Sequence, residues 1–90
     1  MNMTQDIRDF VIENFLFGEG GDALGNDESF LESGIIDSTG VLELIGFLER
    51  RYGIEVDDED LVPANLDSVN RLVAFVNRKL ASAKAVDLAG

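Results

Sequence analysis

Ninety residues give room for one hydrophobic core and no second, and an apolar fraction of 46% is enough to fold it and argues against disorder. Eighteen acids against seven bases leave a net charge of −11, which excludes nucleic acid as a primary partner, since neutralising phosphates takes clustered Lys and Arg. With neither Cys nor His, the chain has no disulfide, thiolate nucleophile, thiolate zinc site or imidazole base.

Asp6, Arg8 and Asp9 break up the N-terminus before any signal-peptide core could form. No stretch approaches the ~20 apolar residues of a membrane span. The composition therefore predicts an acidic, cytoplasmic, monomeric single-domain protein.

The first element is an amphipathic helix over about residues 4–17, with Ile7, Phe10, Val11 and Phe15 at helical spacing, Thr4 as N-cap and Gly18 as stop. Residues 18–36 form a long glycine-containing connection, of the length that is normally functional or held down by buried side chains. Phe30, Leu31, Ile35 and Ile36 are the side chains expected to hold it. It is no nucleotide cradle, because it lacks the Gly-Lys-Ser/Thr ending, and Glu19, Asp22, Asp27 and Glu28 would repel a triphosphate. A second helix runs over about 38–52, with Asp37 as N-cap, Val41, Leu44, Ile45, Leu48 and Tyr52 as its apolar stripe, and Gly53 as its end. Gly40 and Gly46 lie inside it, each costing about 1 kcal/mol relative to alanine unless a close neighbour requires them.

Ile54 to Val56 read as a short extended piece, and Asp57 to Val62 as a short acidic turn of helix ended by Pro63. The acidic cluster Asp57, Asp58, Glu59 and Asp60 lacks the ligand alternation and central glycine of an EF-hand, so no metal site is expected there. The last helix begins near Asp67-Ser68 and carries Val69, Leu72, Val73, Val76 and Leu80 on one face. Residues 81–90 are small and weakly patterned, which predicts a frayed tail after a domain spanning 1–80. The fold class is all-α, a small bundle of three main helices plus one short helix.

The segment from Glu32 to Ile45 carries the chemistry. It places Ser38, preceded by Asp37, where a glycine-containing loop becomes a helix, so that the hydroxyl is exposed and the partial positive charge of a helix N-terminus favours an attached phosphate. A serine at this position often does no more than start a helix, and Asp67-Ser68 is a second Asp-Ser pair opening a helix. Context separates the two, because only Ser38 follows the long loop and opens the acid-bearing central helix.

The pattern Leu31-x-x-Gly34-x-x-Asp37-Ser38, followed by Leu42, Glu43 and Leu44, resembles the attachment motif of the acyl and peptidyl carrier proteins, and the likeness extends over about residues 4–80. The resemblance implies that Ser38 carries 4′-phosphopantetheine, derived from coenzyme A, with Asp37 helping the modifying enzyme to recognise it. It implies a non-catalytic protein holding an acyl or aminoacyl thioester. Its partners would be a phosphopantetheinyl transferase, a loading ligase and a downstream synthase or transferase. Glu43 and Glu49 match acidic positions of the family's recognition helix and Leu42 an apolar contact on it, while Thr39 and Gly46 complete the expected partner-facing set. Thr39 stands where many members have leucine or methionine, Gly40 where an acid is common, and Arg50 and Arg51 where fatty-acid carriers stay acidic. These departures favour a specialised, free-standing carrier of secondary metabolism or lipid synthesis, and the Asp-Ser-Thr-Gly start is similar to that of carriers for amino acids. The alternative from a different class is an acidic helical adaptor that binds a basic protein without modification.

Overall fold

The structure, a computed structural model, describes residues 2–18 and 24–89, with side chains as far as residue 81. Glu19 and Asp22 of the first connection lie outside the described residues.

Helix α1 spans Met3–Phe15. Its cap is Asn2 and not Thr4: the Asn2 side chain accepts from the Gln5 amide at 3.3 Å. Asn is among the strongest N-cap residues, so the helix gains two residues at its start. Ile7 and Val11 are fully buried. The helix closes as the Gly18 amide donates to the Ile12 carbonyl at 2.8 Å, with both Phe17 and Gly18 in the left-handed region at φ 55° and 82°.

The connection that follows contains a helix the periodicity did not reveal, α2 (Phe30–Ser33), capped by Ser29 and ended by Gly34 at φ 75°. Four residues are too few for a repeating stripe; what holds them is tertiary. The Asp67 carboxylate accepts from the Ser29 hydroxyl and, at 3.0 Å, from the Leu31 amide, while its carbonyl accepts from the Phe30 amide at 2.9 Å. Farther back, Arg8 donates to the Leu24 carbonyl and to Asn26, both at 2.7 Å. Phe30 and Ile36 are buried and Ile35 packs against the core, but Leu31, expected to help hold the loop down, is 51% exposed. Its neighbour Phe30 takes the buried position of the short turn.

Helix α3 (Ser38–Tyr52) has the predicted ends: the Asp37 carboxylate accepts from the Gly40 amide at 2.8 Å, and Gly53 is left-handed at φ 67°. Leu44 and Leu48 are fully buried, with Val41, Ile45 and Tyr52 packed around them. A Cβ on Gly40 would stand 2.7 Å from Phe15 Cε1, so glycine there lets α1 approach α3 closely. Phe10 stacks on Phe47 with ring centroids 4.2 Å apart and meets Phe15 edge-on, extending the α1–α3 contact.

A 3₁₀ turn at Asp58–Asp60 leads to α4 (Pro63–Leu66) and α5 (Val69–Ala89). Pro63 begins a helix instead of ending one, which suits a residue with no amide hydrogen to leave unpaired. Val69, Leu72, Phe75 and Val76 of α5 are buried, and α1 and α4 both pack on this helix. The α5 backbone continues to Ala89. The fold is all-α, with no strand among the described residues. The three long helices are those expected, and the short pieces are α2, the 3₁₀ turn and α4.

Candidate functional site

Ser38 is the first residue of α3 and is exposed, as are Asp37 and Thr39 beside it. The capping bond fixes the Asp37 carboxylate on the Gly40 amide, so the serine side chain is not needed to start the helix. No acid occupies the first turn of α3, and the dipole's positive end there is offset by the cap alone, while Arg50 and Arg51 occupy the last turn. Arg51 pairs with Asp6 at 3.0 Å.

The other pair is built differently. Ser68 is 2% exposed, its hydroxyl accepts from the Arg71 amide at 3.1 Å, and Asp67 is taken up by α2. An enzyme reaching for a serine finds one of the two hydroxyls.

Beside Ser38 opens a cleft of about 310 Å³ whose walls come from three parts of the chain. Phe30 and Leu31 of α2 form one side, Val41 and Leu42 of α3 another, and Leu61, Val62, Pro63 and Leu66 the third. Ser38 and Asp67 are its polar members. Leu31, Leu42, Leu61 and Val62 all line it while remaining at least 40% exposed. The third wall was not read from the sequence; its one signal is the apolar Leu61-Val62 step directly after four acids.

The expected partner-facing residues do not behave alike. Thr39, Leu42 and Glu43 are exposed on α3, with Leu42 at 65%. Gly46 is half-buried, and a Cβ there would meet only the end of the Arg50 side chain, at 3.2 Å. Glu49 is engaged within the fold, its carboxylate accepting from the Val56 amide at 3.1 Å, which ties down the chain leaving α3. The acidic turn is likewise occupied: Lys79 pairs with both Asp57 and Asp60. Its hydrogen bond to Asp60, with that of the Asp57 amide, holds the Asp60 carboxyl below the usual carboxylate range. Among the described residues no group of three Asp or Glu is arranged to hold a metal ion.

The chain matches a family model described as a phosphopantetheine attachment site over residues 16–76. It is 31% identical over 68 residues to the "Probable acyl carrier protein PigG" of Serratia sp., covering 76% of this chain and 77% of that one. An acyl carrier protein of Campylobacter hominis is 30% identical over 76 residues, covering 84% of this chain and 91% of the relative. Among solved structures, holo acyl carrier protein from Nitrosomonas europaea shares the fold at a TM-score of 0.73 and 24% identity, over 90% of this chain and 99% of that one. A chain from the crystal structure of an FAD-dependent dehydrogenase aligns at a TM-score of 0.69 and 26% identity, over 78% of this chain and 97% of its own length. With a match over more than half its length, an all-helical fold and a helix that opens on an accessible serine, this chain belongs to the acyl carrier protein family, whose cofactor is covalently attached 4′-phosphopantetheine.

Proposed function

We propose that the protein holds an acyl or aminoacyl intermediate as a thioester on an arm attached to Ser38 and presents it to partner enzymes, without catalysing a reaction itself. The observation that carries this reading is the accessible Ser38 hydroxyl at the head of α3, beside an apolar cleft, in a chain whose other Asp-Ser pair has its serine buried. The prosthetic group supplies the thiol that a chain without cysteine lacks. The protein's own residues do the rest. Asp37 holds the first turn of α3 and leaves Ser38 free; the helix N-terminus favours the phosphoester's negative charge. Val41, Leu42, Leu61 and Val62 give an apolar cargo a surface away from water. Thr39, Leu42 and Glu43 form the docking face on α3, with Gly46 at its edge; Glu49 contributes less, since its carboxylate is already bonded.

The partners of this reading are a phosphopantetheinyl transferase, a ligase that loads the arm, and a synthase or transferase that unloads it, all working in the cytoplasm. The structural neighbour from an FAD-dependent dehydrogenase crystal makes an oxidation of the tethered cargo a reaction worth testing. Thr39, Gly40, Arg50 and Arg51 favour a specialised pathway over housekeeping fatty-acid synthesis. Tethering keeps the intermediate at high local concentration for each enzyme, while the acidic surface makes docking fast, weak and salt-sensitive.

The test is intact mass after incubation with a broad-specificity phosphopantetheinyl transferase and coenzyme A. The wild-type chain is expected to gain one arm and Ser38→Ala none. A mass gain in Ser38→Ala overturns the assignment of the residue. No gain in the wild-type chain overturns the carrier reading and leaves the unmodified adaptor in its place.

A further inference from the structure

We propose that Arg50 sorts this protein's partner enzymes by charge: it turns away a docking surface made only of Lys and Arg, and fits one that sets a carboxylate beside the cations that meet Glu43. The proposal rests on the outer face of α3 being the docking face.

Arg50 shares that face with the serine. At about 100° per residue, Thr39, Leu42, Glu43, Gly46 and Arg50 fall within about 100° of arc around α3, and Ser38 stands about 40° beyond Leu42. Thr39, Leu42, Glu43 and Arg50 are exposed, whereas Gly40, Leu44 and Leu48 on the far side of the helix are buried. The arginine does not simply trail off the end of the helix. A Cβ on Gly46 would stand 3.2 Å from Arg50 Nη1, so the guanidinium is folded back one turn and lies over the glycine. Gly46 is eight residues after Ser38, which puts this cation about 12 Å along the helix from the serine and about 4.5 Å beyond the level of Glu43.

The fold itself makes no use of the charge. Arg8, Arg51, Arg71, Arg78 and Lys79 each bond a carbonyl, amide or carboxylate of the protein. Arg50 alone, among the Lys and Arg whose side chains are described, makes no hydrogen bond or ion pair with the described residues, in a chain with 18 acids. The helix dipole does not hold it either. The negative end of α3 is at the carbonyls of its last turn, and the Arg50 side chain reaches the other way, over Gly46.

The charges on the face describe the partner. A chain of net charge −11 draws enzymes with basic surfaces. When such a surface closes on α3, Glu43 meets a cation, and the Arg50 guanidinium meets another unless the enzyme places an acid there. Like charges brought together at an interface oppose binding, while a carboxylate against a guanidinium forms the strong two-pronged hydrogen bond. One unpaired arginine on an otherwise acidic carrier therefore separates enzymes that attraction at a distance would not.

The experiment uses a malonyl transferase of fatty-acid synthesis, an enzyme that serves carriers acidic on this helix, with malonyl-coenzyme A as donor. Wild type, Arg50→Glu, Arg50→Lys and Arg51→Glu are first converted to the holo form by a broad-specificity phosphopantetheinyl transferase and checked by intact mass. Arg50→Glu should raise kcat/KM for malonyl transfer about tenfold at low salt, with the gain shrinking as salt is added. Arg50→Lys, which keeps the charge, should stay near wild type. Arg51→Glu changes net charge equally but lies off the face, and its gain should be much the smaller. The second arm replaces the enzyme's surface Lys and Arg by Glu, one at a time. At least one such change should reverse the order, so that wild type is a better substrate than Arg50→Glu. A kcat/KM for Arg50→Glu within about twofold of wild type, equal gains from Arg50→Glu and Arg51→Glu, or no reversal by any enzyme variant each overturns the proposal and leaves Ser38 standing. Failure of the wild-type chain to take the arm at all removes the Ser38 assignment and this proposal together.

Discussion

The same two letters, Asp-Ser, open α3 and α5, and the fold uses them in opposite ways. At Asp37-Ser38 the acid is the cap and the serine is the first helical residue, exposed to solvent. At Asp67-Ser68 the frame is shifted by one: the serine caps the helix by accepting from Arg71, and the acid is turned back to hold α2. One pair leaves its hydroxyl exposed, and the other spends both side chains on structure. A motif is therefore defined by which of its residues the helix consumes, and a one-residue change of frame decides that.

The strongest way to break the comparison is to remove the hydroxyls in turn. Ser38→Ala should abolish modification and leave the fold nearly unchanged. Ser68→Ala should leave the modification rate unchanged and lower unfolding free energy by about 1 kcal/mol, read from urea titrations. Any modification found on Ser68 would erase the distinction.

The acids sharpen it with a smaller effect. Asp67→Ala removes the acceptor of two hydrogen bonds, from the half-buried Ser29 hydroxyl and from the Leu31 amide, and at about 1 kcal/mol for each it should destabilise by more than a single lost cap. Asp37→Ala removes one capping bond and should cost about 1 kcal/mol. Equal losses in urea unfolding would mean that Asp67 is no more structural than Asp37.

The smallest effect concerns the turn that leads into the second pair, which Lys79 holds through Asp57 and Asp60. The hydrogen bond to Asp60 raises the Lys79 amine above its usual value, and the same bond lowers the Asp60 carboxyl. The carboxyl's contribution is present above its unfolded value and lost as pH falls through the lowered one. The amine's is present below its unfolded value and lost as pH rises through the raised one. Lys79→Met should therefore differ from wild type in melting temperature near neutrality and converge with it at strongly acid and strongly alkaline pH. A constant difference across that range would mean that the charges of Lys79 and its two partners do not carry the effect.

The long helices were legible because each buries a stripe at a 3.6-residue period: Ile7 and Val11, Leu44 and Leu48, Val69, Leu72 and Val76. Ends set by local chemistry were legible too, as Asp37 and Gly53 show. The short helix α2 was not, because its order comes from a partner far along the chain: Asp67 is 38 residues from the Ser29 it binds. Helix α4, four residues long, has no side-chain cap to announce it. The site divides the same way. The exposed position of Ser38 at the start of α3 could be read from its neighbours, whereas the cleft wall from Leu61 to Leu66 and the engagement of Glu49 by Val56 exist only once the chain is folded.

Gly40 gives the carrier a fixed origin. Buried against Phe15 and Ile36, it bolts the turn bearing Ser38 to the core, so an arm on that serine would swing from a point that does not wander relative to the rest of the molecule. The volume swept by the arm then has a known centre, and an enzyme that grips the outer face of α3 has located that centre already. What remains to be searched is the arm's own torsions, a far smaller space than that of a reactant hung from a loose loop. A methyl group at residue 40 would push on Phe15 and unsettle the origin while leaving every atom of the attachment chemistry in place.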